Sequence, residues 1–218
     1  MRKRTRTFPI LLGFFLVLGS LGLLALRSFD FHASSQDDFS TQANHYLKEQ
    51  GQDFSLLLQT DSRWADTAYG SGSDKNDLAT NGCAITSLAM ILSYYDDRAV
   101  LPTEILQWSG NRYYQSGQGT AWSIFSAFAQ NYSLTVEDLG TNQTNIQQHL
   151  SQNQPLVISV RPGEFTEVGH IMVIKKDVHS NQIVVYDPND TAEKKHYATL
   201  YSLDQLVPQI ANAWVYTK

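Results

Sequence analysis

Asn81-Gly82-Cys83-Ala84-Ile85-Thr86-Ser87-Leu88-Ala89-Met90-Ile91-Leu92-Ser93-Tyr94-Tyr95 is the stretch on which the chain turns. Ile85, Leu88, Ala89 and Leu92 recur at the i, i+3, i+4, i+7 spacing of a helix. The positions between them are also largely apolar. A helix without a polar face must be covered all round, so residues 84–95 predict a central buried helix. Asn81-Gly82 is a turn signal, which puts Cys83 at the helix start.

Outward from this stretch, the pattern is helical first and extended later. Pro102–Ser109 predicts a helix with Pro102 in its first turn. Trp122–Asn131 predicts another, with Ile124, Phe125, Phe128 and Ala129 on its apolar face, and Asn145–Gln152 a further one. Leu156–Val160, His170–Ile174 and Ile183–Tyr186 then read as β-branched strands, with a turn at His179–Gln182 and a closing strand at Ala213–Tyr216. Helices followed by an antiparallel sheet make an α+β fold. No internal repeat is visible.

The 218 residues are 42% hydrophobic and 17% charged, a globular composition. The formal net charge of −5 is divided unevenly. Residues 1–27 carry Arg2, Lys3, Arg4, Arg6 and Arg27 and no acid, so the remainder is strongly acidic. An acidic body without a basic run excludes nucleic acid as an expected partner. Phe8–Leu26 is uncharged, and a helix of that length spans a hydrocarbon core of roughly 30 Å. The basic cluster before it belongs on the cytoplasmic side, which places the body outside the cell. Two readings stand, an uncleaved single-pass anchor and a cleaved signal with a secreted body. Residues 28–52 are polar and read as a stem or linker with a short helix near Ala43–Glu49, and residues 53–218 as one domain.

Cys83 is the single cysteine. It excludes an internal disulfide and a multi-cysteine metal site, and leaves an inert core thiol or a nucleophile. A helix N-terminus favours the thiolate. A nucleophile needs a base, and the chain has six histidines. His32 and His45 lie in the stem, His149 on a polar helix and His179 in a turn. His196 follows Lys194-Lys195 and reads as exposed. His170 alone opens an apolar strand, directly after Gly169. Asp187 ends the strand expected to pair with that of His170, so the two fall near one end of a hairpin. Asn189, two residues on, competes for the orienting role. Gln59, directly after three leucines, is available as an oxyanion donor alongside the Cys83 N–H. Tyr113, Tyr114 and Gly117–Thr120 form a loop that reads equally as a groove wall or as plain surface. Asp74, Asp77, Asp96 and Asp97 lack the spacing of a calcium loop.

Gln59-Thr60-Asp61-Ser62-Arg63-Trp64-Ala65, then Asn81 to Met90, then Gly169-His170, then Tyr186-Asp187-Pro188-Asn189 occur in this order. Together they resemble the papain-like cysteine peptidases of family 39, relatives of the double-glycine leader peptidases, in the stand-alone branch that lacks the transporter. The resemblance covers roughly Phe54 to Lys218. It implies a papain-like fold, with Cys83 as nucleophile, His170 as base, Asp187 as its orienting acid and Gln59 as oxyanion donor. Family members often have Gly after the Cys, where this chain has Ala84. The implied activity is hydrolysis of peptide bonds in a peptide or protein substrate, without metal or organic cofactor, by a monomer. A cell-wall amidase or endopeptidase and a non-catalytic binding module on the same fold are the competing readings.

Overall fold

Six strands make one antiparallel sheet, and apolar side chains cover both of its faces. The computed structural model describes residues 39–72 and 75–218. The expected anchor at residues 8–26 and the first part of the expected stem lie outside the described residues. Among the described residues no helix is long and apolar enough to cross a membrane.

A helix over residues 39–49 (α1) comes first. It is followed by α2 (Leu78–Asn81), α3 (Cys83–Asp96), α4 (Pro102–Ser109), a hairpin of β1 (Tyr114–Gln115) and β2 (Gly119–Thr120), and α5 (Ser123–Asn131). Then come β3 (Thr135–Gly140), α6 (Gln143–Ser151), β4 (Leu156–Val160), β5 (His170–Lys176) and β6 (Ile183–Tyr186). A 3-10 turn at His196–Ala198 leads to β7 (Leu200–Tyr201), α7 (Leu203–Leu206) and β8 (Ile210–Thr217). The sheet order is β3-β8-β4-β5-β6-β7.

Strands β4, β5 and β6 are buried nearly from end to end and mostly apolar, because both faces of the sheet are covered. Successive residues point to opposite faces. In β5, Ile171 and Val173 therefore join the core under α3, whereas Met172 and Ile174 join the core under α6 and α7. Helix α3 is buried from Ala84 to Leu92, as its lack of a polar face requires. The Ser87 hydroxyl donates to the Ile171 carbonyl at 3.4 Å and ties the helix to β5. Val173 pairs with Tyr186 and Lys176 with Ile183. The turn between them closes the hairpin and leaves Asp187 level with the start of β5.

Three features depart from the sequence reading or go beyond it. The stem assignment of residues 28–52 does not hold for its last part. Phe39, Ala43 and Leu47 share one helix face, Ala43 and Leu47 are buried in the main core, and Phe39 packs against it. The Asn44 amide donates to the Leu56 carbonyl and accepts from the Leu56 N–H, both at 2.9 Å. Polar neighbours mask these apolar positions in the sequence. The sequence gives the closing strand no place in the sheet: β8 inserts between β3 and β4, pairing Tyr216 with Val136 and Trp214 with Val157. Strand β3, which no periodicity marked, forms the edge beside it.

Candidate active site

Cys83 is the first residue of α3 because two short elements deliver it there. Asp77 caps α2, its Oδ1 accepting from the Thr80 N–H at 2.9 Å. Gly82 then joins α2 to α3. A Cβ on Gly82 would stand 2.3 Å from the Leu78 carbonyl oxygen, so only glycine permits this junction. Cys83 thus stands partly buried where unpaired helix N–H groups gather.

His170, the first residue of β5, is buried and hydrogen-bonded to the Cys83 thiol. Its Nε2 lies 2.6 Å from Oδ1 of Asp187. The Asp187 carboxylate only accepts, so Nε2 donates, and Nδ1 is left to face the thiol. Asp187 is fully buried. Burial alone would raise its pKa, yet the hydrogen bonds from His170 and His196 hold it well below the usual carboxylate range. Burial works against the His170 cation too. The Asp187 hydrogen bond and the Cys83 thiolate outweigh it and push His170 up to about 10. Burial likewise opposes the Cys83 thiolate, and the hydrogen bond and charge of His170, with the N–H groups of Ile171 and Ala84, bring the thiol below its ordinary value. Thiolate and imidazolium thus support each other.

Gln59 stands on the strap before α2. Its N–H donates to the Pro188 carbonyl at 2.7 Å, which ties it to the Asp187 loop. The Asp61–Arg63 pair, with Oδ1 accepting from Nε at 2.8 Å, and the Trp64 Nε1–H donating to the Leu58 carbonyl at 2.7 Å hold this turn. The Gln59 Nε2 spends one hydrogen on the Ala79 carbonyl at 2.6 Å. Its second hydrogen meets no acceptor among the described residues.

Cys83, His170 and Gln59 line one cleft of about 480 Å³. Gly117 and Gly119 of the β1–β2 hairpin wall one side at φ 71° and 80°, a backbone conformation glycine adopts without strain. The loop of Gly117–Thr120 is therefore a groove wall. Trp122, 46% exposed, and Val168, 68% exposed, flank the cleft. Among the described residues no Asp, Glu, Lys or Arg lines it. No group of three or more His, Cys, Asp or Glu suited to a metal ion occurs among them either.

Asn189 does not replace Asp187. Its N–H donates to Asp187 Oδ1 at 2.7 Å, so it supports the carboxylate instead. His196, read as exposed, is buried, and its Nδ1 lies 2.9 Å from Asp187 Oδ2. The two lysines before it suggested solvent, whereas Tyr197 after it is the buried neighbour that carries the ring inward.

A partly buried thiol at a helix start, a buried imidazole beside it and a carboxylate behind that stand together on an α+β fold. Residues 52–218 match the Peptidase_C39 like family, and the chain belongs to that family. Among solved structures, the peptidase domain of Streptococcus ComA, a bifunctional ABC transporter of a quorum-sensing pathway, is 15% identical with a TM-score of 0.48. The match covers 68% of this chain and 96% of that one. A double-glycine-motif protease from an AMS/PCAT transporter, in complex with the leader peptide, is 17% identical over 62% of this chain and 82% of that one, with a TM-score of 0.44. A C39-like peptidase from Bacillus anthracis is 16% identical over 75% of this chain and 97% of that one, with a TM-score of 0.39. No curated protein matches the chain.

Proposed function

We propose that this chain is a cysteine peptidase that hydrolyses peptide bonds through Cys83, His170 and Asp187. The observation that carries the reading is the row of hydrogen bonds from the Cys83 thiol through the His170 ring to Asp187, opening into a cleft shared with Gln59. His170 takes the Cys83 proton at Nδ1. The thiolate attacks the carbonyl carbon of the scissile bond. The negative charge that develops on the carbonyl oxygen is received by the free Gln59 N–H and the Cys83 backbone N–H. As the tetrahedral species collapses, His170 gives its proton to the leaving amine, and an acyl thioester on Cys83 remains. His170 then takes a proton from water, which attacks the thioester and releases the carboxylate product. Apart from the Cys83–His170 pair, the cleft walls carry no charged side chain among the described residues and favour uncharged side chains around the scissile bond.

The site also belongs outside the cell in this reading. The basic cluster of Arg2 to Arg6 and the uncharged run over residues 8–26 support a single-pass anchor, or secretion if that run is cleaved. The enzyme acts as a monomer without metal or cofactor. Incubation with a peptide set that includes Gly-Gly sequences, and separately with purified wall fragments, tests the reaction. Peptide cleavage that disappears in Cys83→Ala is expected. Release of wall fragments without peptide cleavage overturns the peptidase assignment in favour of a wall hydrolase.

A further inference from the structure

Asp187 receives more donors than a single histidine site needs. Oδ1 accepts from His170 Nε2 at 2.6 Å and from the Asn189 N–H at 2.7 Å. Oδ2 accepts from His196 Nδ1 at 2.9 Å. The His196 ring is in turn held on several sides. Phe165 meets it edge-on, with ring centroids 5.0 Å apart. The buried Asp190 accepts the Tyr197 N–H at 3.0 Å and the Thr191 N–H at 2.8 Å, which pins the 3-10 turn at His196–Ala198. Lys195 precedes that turn at φ 50°.

We infer that His196 is a second positioning histidine of this site, holding the Asp187 carboxylate in the plane that His170 requires. The inference rests on the peptidase reading above. Donors on both oxygens stop the carboxylate from rotating about its Cβ–Cγ bond, so Oδ1 stays in line with Nε2 of His170. Asp187 is fully buried, so no solvent replaces a missing donor. Lys194 does not substitute: its ammonium stands 3.9 Å from Oδ2 and donates to the Asn189 carbonyl at 2.8 Å. Without His196, Oδ2 becomes a buried acceptor with no partner. The carboxylate then turns to recover one, and the His170 ring loses its fixed support. Of the charged groups around His196, Asp187 shares a side-chain hydrogen bond with its ring and Asp190 acts on it through its charge.

Two substitutions in the full chain separate the donor from the ring. His196→Asn places an amide N–H close to where Nδ1–H stands and removes the ring. His196→Phe keeps an aromatic ring against Phe165 and removes the donor. Cys83 is the single thiol, so its alkylation by iodoacetamide across pH reports thiolate formation at this site alone. Far-UV circular dichroism and a melt accompany each variant. In His196→Phe, kcat is expected to fall about tenfold with KM little changed, and the acid limb of alkylation to move up by about one pH unit. In His196→Asn both stay within about threefold of the parent chain. If His196→Phe fails to fold, His196→Leu takes its place in the comparison. Equal losses in both variants, or full activity in the folded donor-less variant, overturn the positioning role. A parent chain whose Cys83 is alkylated no faster than free cysteine overturns the peptidase reading itself, whatever the variants do.

Discussion

Cys83 and His170 form one electrical unit, so in the proposed reaction the pH response belongs to the pair. The thiol lies below its ordinary value and His170 is raised to about 10, so the thiolate–imidazolium form spans the range between. Turnover is expected to rise as pH passes through the lowered thiol value and to fall above about pH 10, where His170 loses the proton it must give to the leaving amine. A kcat/KM profile without a decline near that pH contradicts this arrangement. Asp187→Asn removes the anion that favours the His170 cation. The alkaline limb then moves down by about 1–3 pH units, and activity falls with it. Asp187 also links stability to pH. Its folded pKa is depressed below the ordinary 3.8, so its contribution is present above that value and lost as pH falls through the depressed one. Urea unfolding of the Asn variant is therefore expected to depend less on pH in the acid range than that of the parent.

At the scale of elements, the junction of α2 and α3 decides where the thiol stands. Gly82→Ala drives a methyl group into the Leu78 carbonyl, and the backbone must shift because a carbonyl cannot rotate away. The expected cost is about 1–3 kcal/mol of stability in urea unfolding. Cys83 moves with the shift, so its alkylation rate near pH 7 should drop as well. Asp77→Ala removes the cap of α2 together with the ion pair to the exposed Lys75, and about 1 kcal/mol is expected, with a smaller effect on the thiol. A Gly82→Ala chain of unchanged stability and reactivity contradicts the steric account. These elements also separate what local sequence reveals from what it hides. Helix α3 and strand β5 follow patterns confined to a few neighbouring residues, and Cys83 and His170 stand at their first positions. His196 sits in an irregular turn, where no period exists to say which way a ring points.

At the scale of the molecule, one sheet covered on both faces joins the helical and extended parts. Helix α1 seals the core on the α3 side, although it precedes the span matched by the family. Leu47→Ala is expected to cost about 2–5 kcal/mol, as for other fully buried leucines. The melting temperature then falls by roughly 2–4 °C for each kcal/mol. An exposed stem predicts almost no change, so a melt distinguishes the two. The amino-acid sequence by itself determined the α+β class and the buried central helix, and it singled out Cys83, His170, Asp187 and Gln59, which the fold brings together, because each rests on short-range periodicity, turn residues and ordered motifs. Only the tertiary structure decided that β8 lies inside the sheet, that α1 belongs to the core, and that a second histidine grips Asp187. Those outcomes depend on pairings between residues far apart along the chain, whose free energy appears only when both partners are buried together.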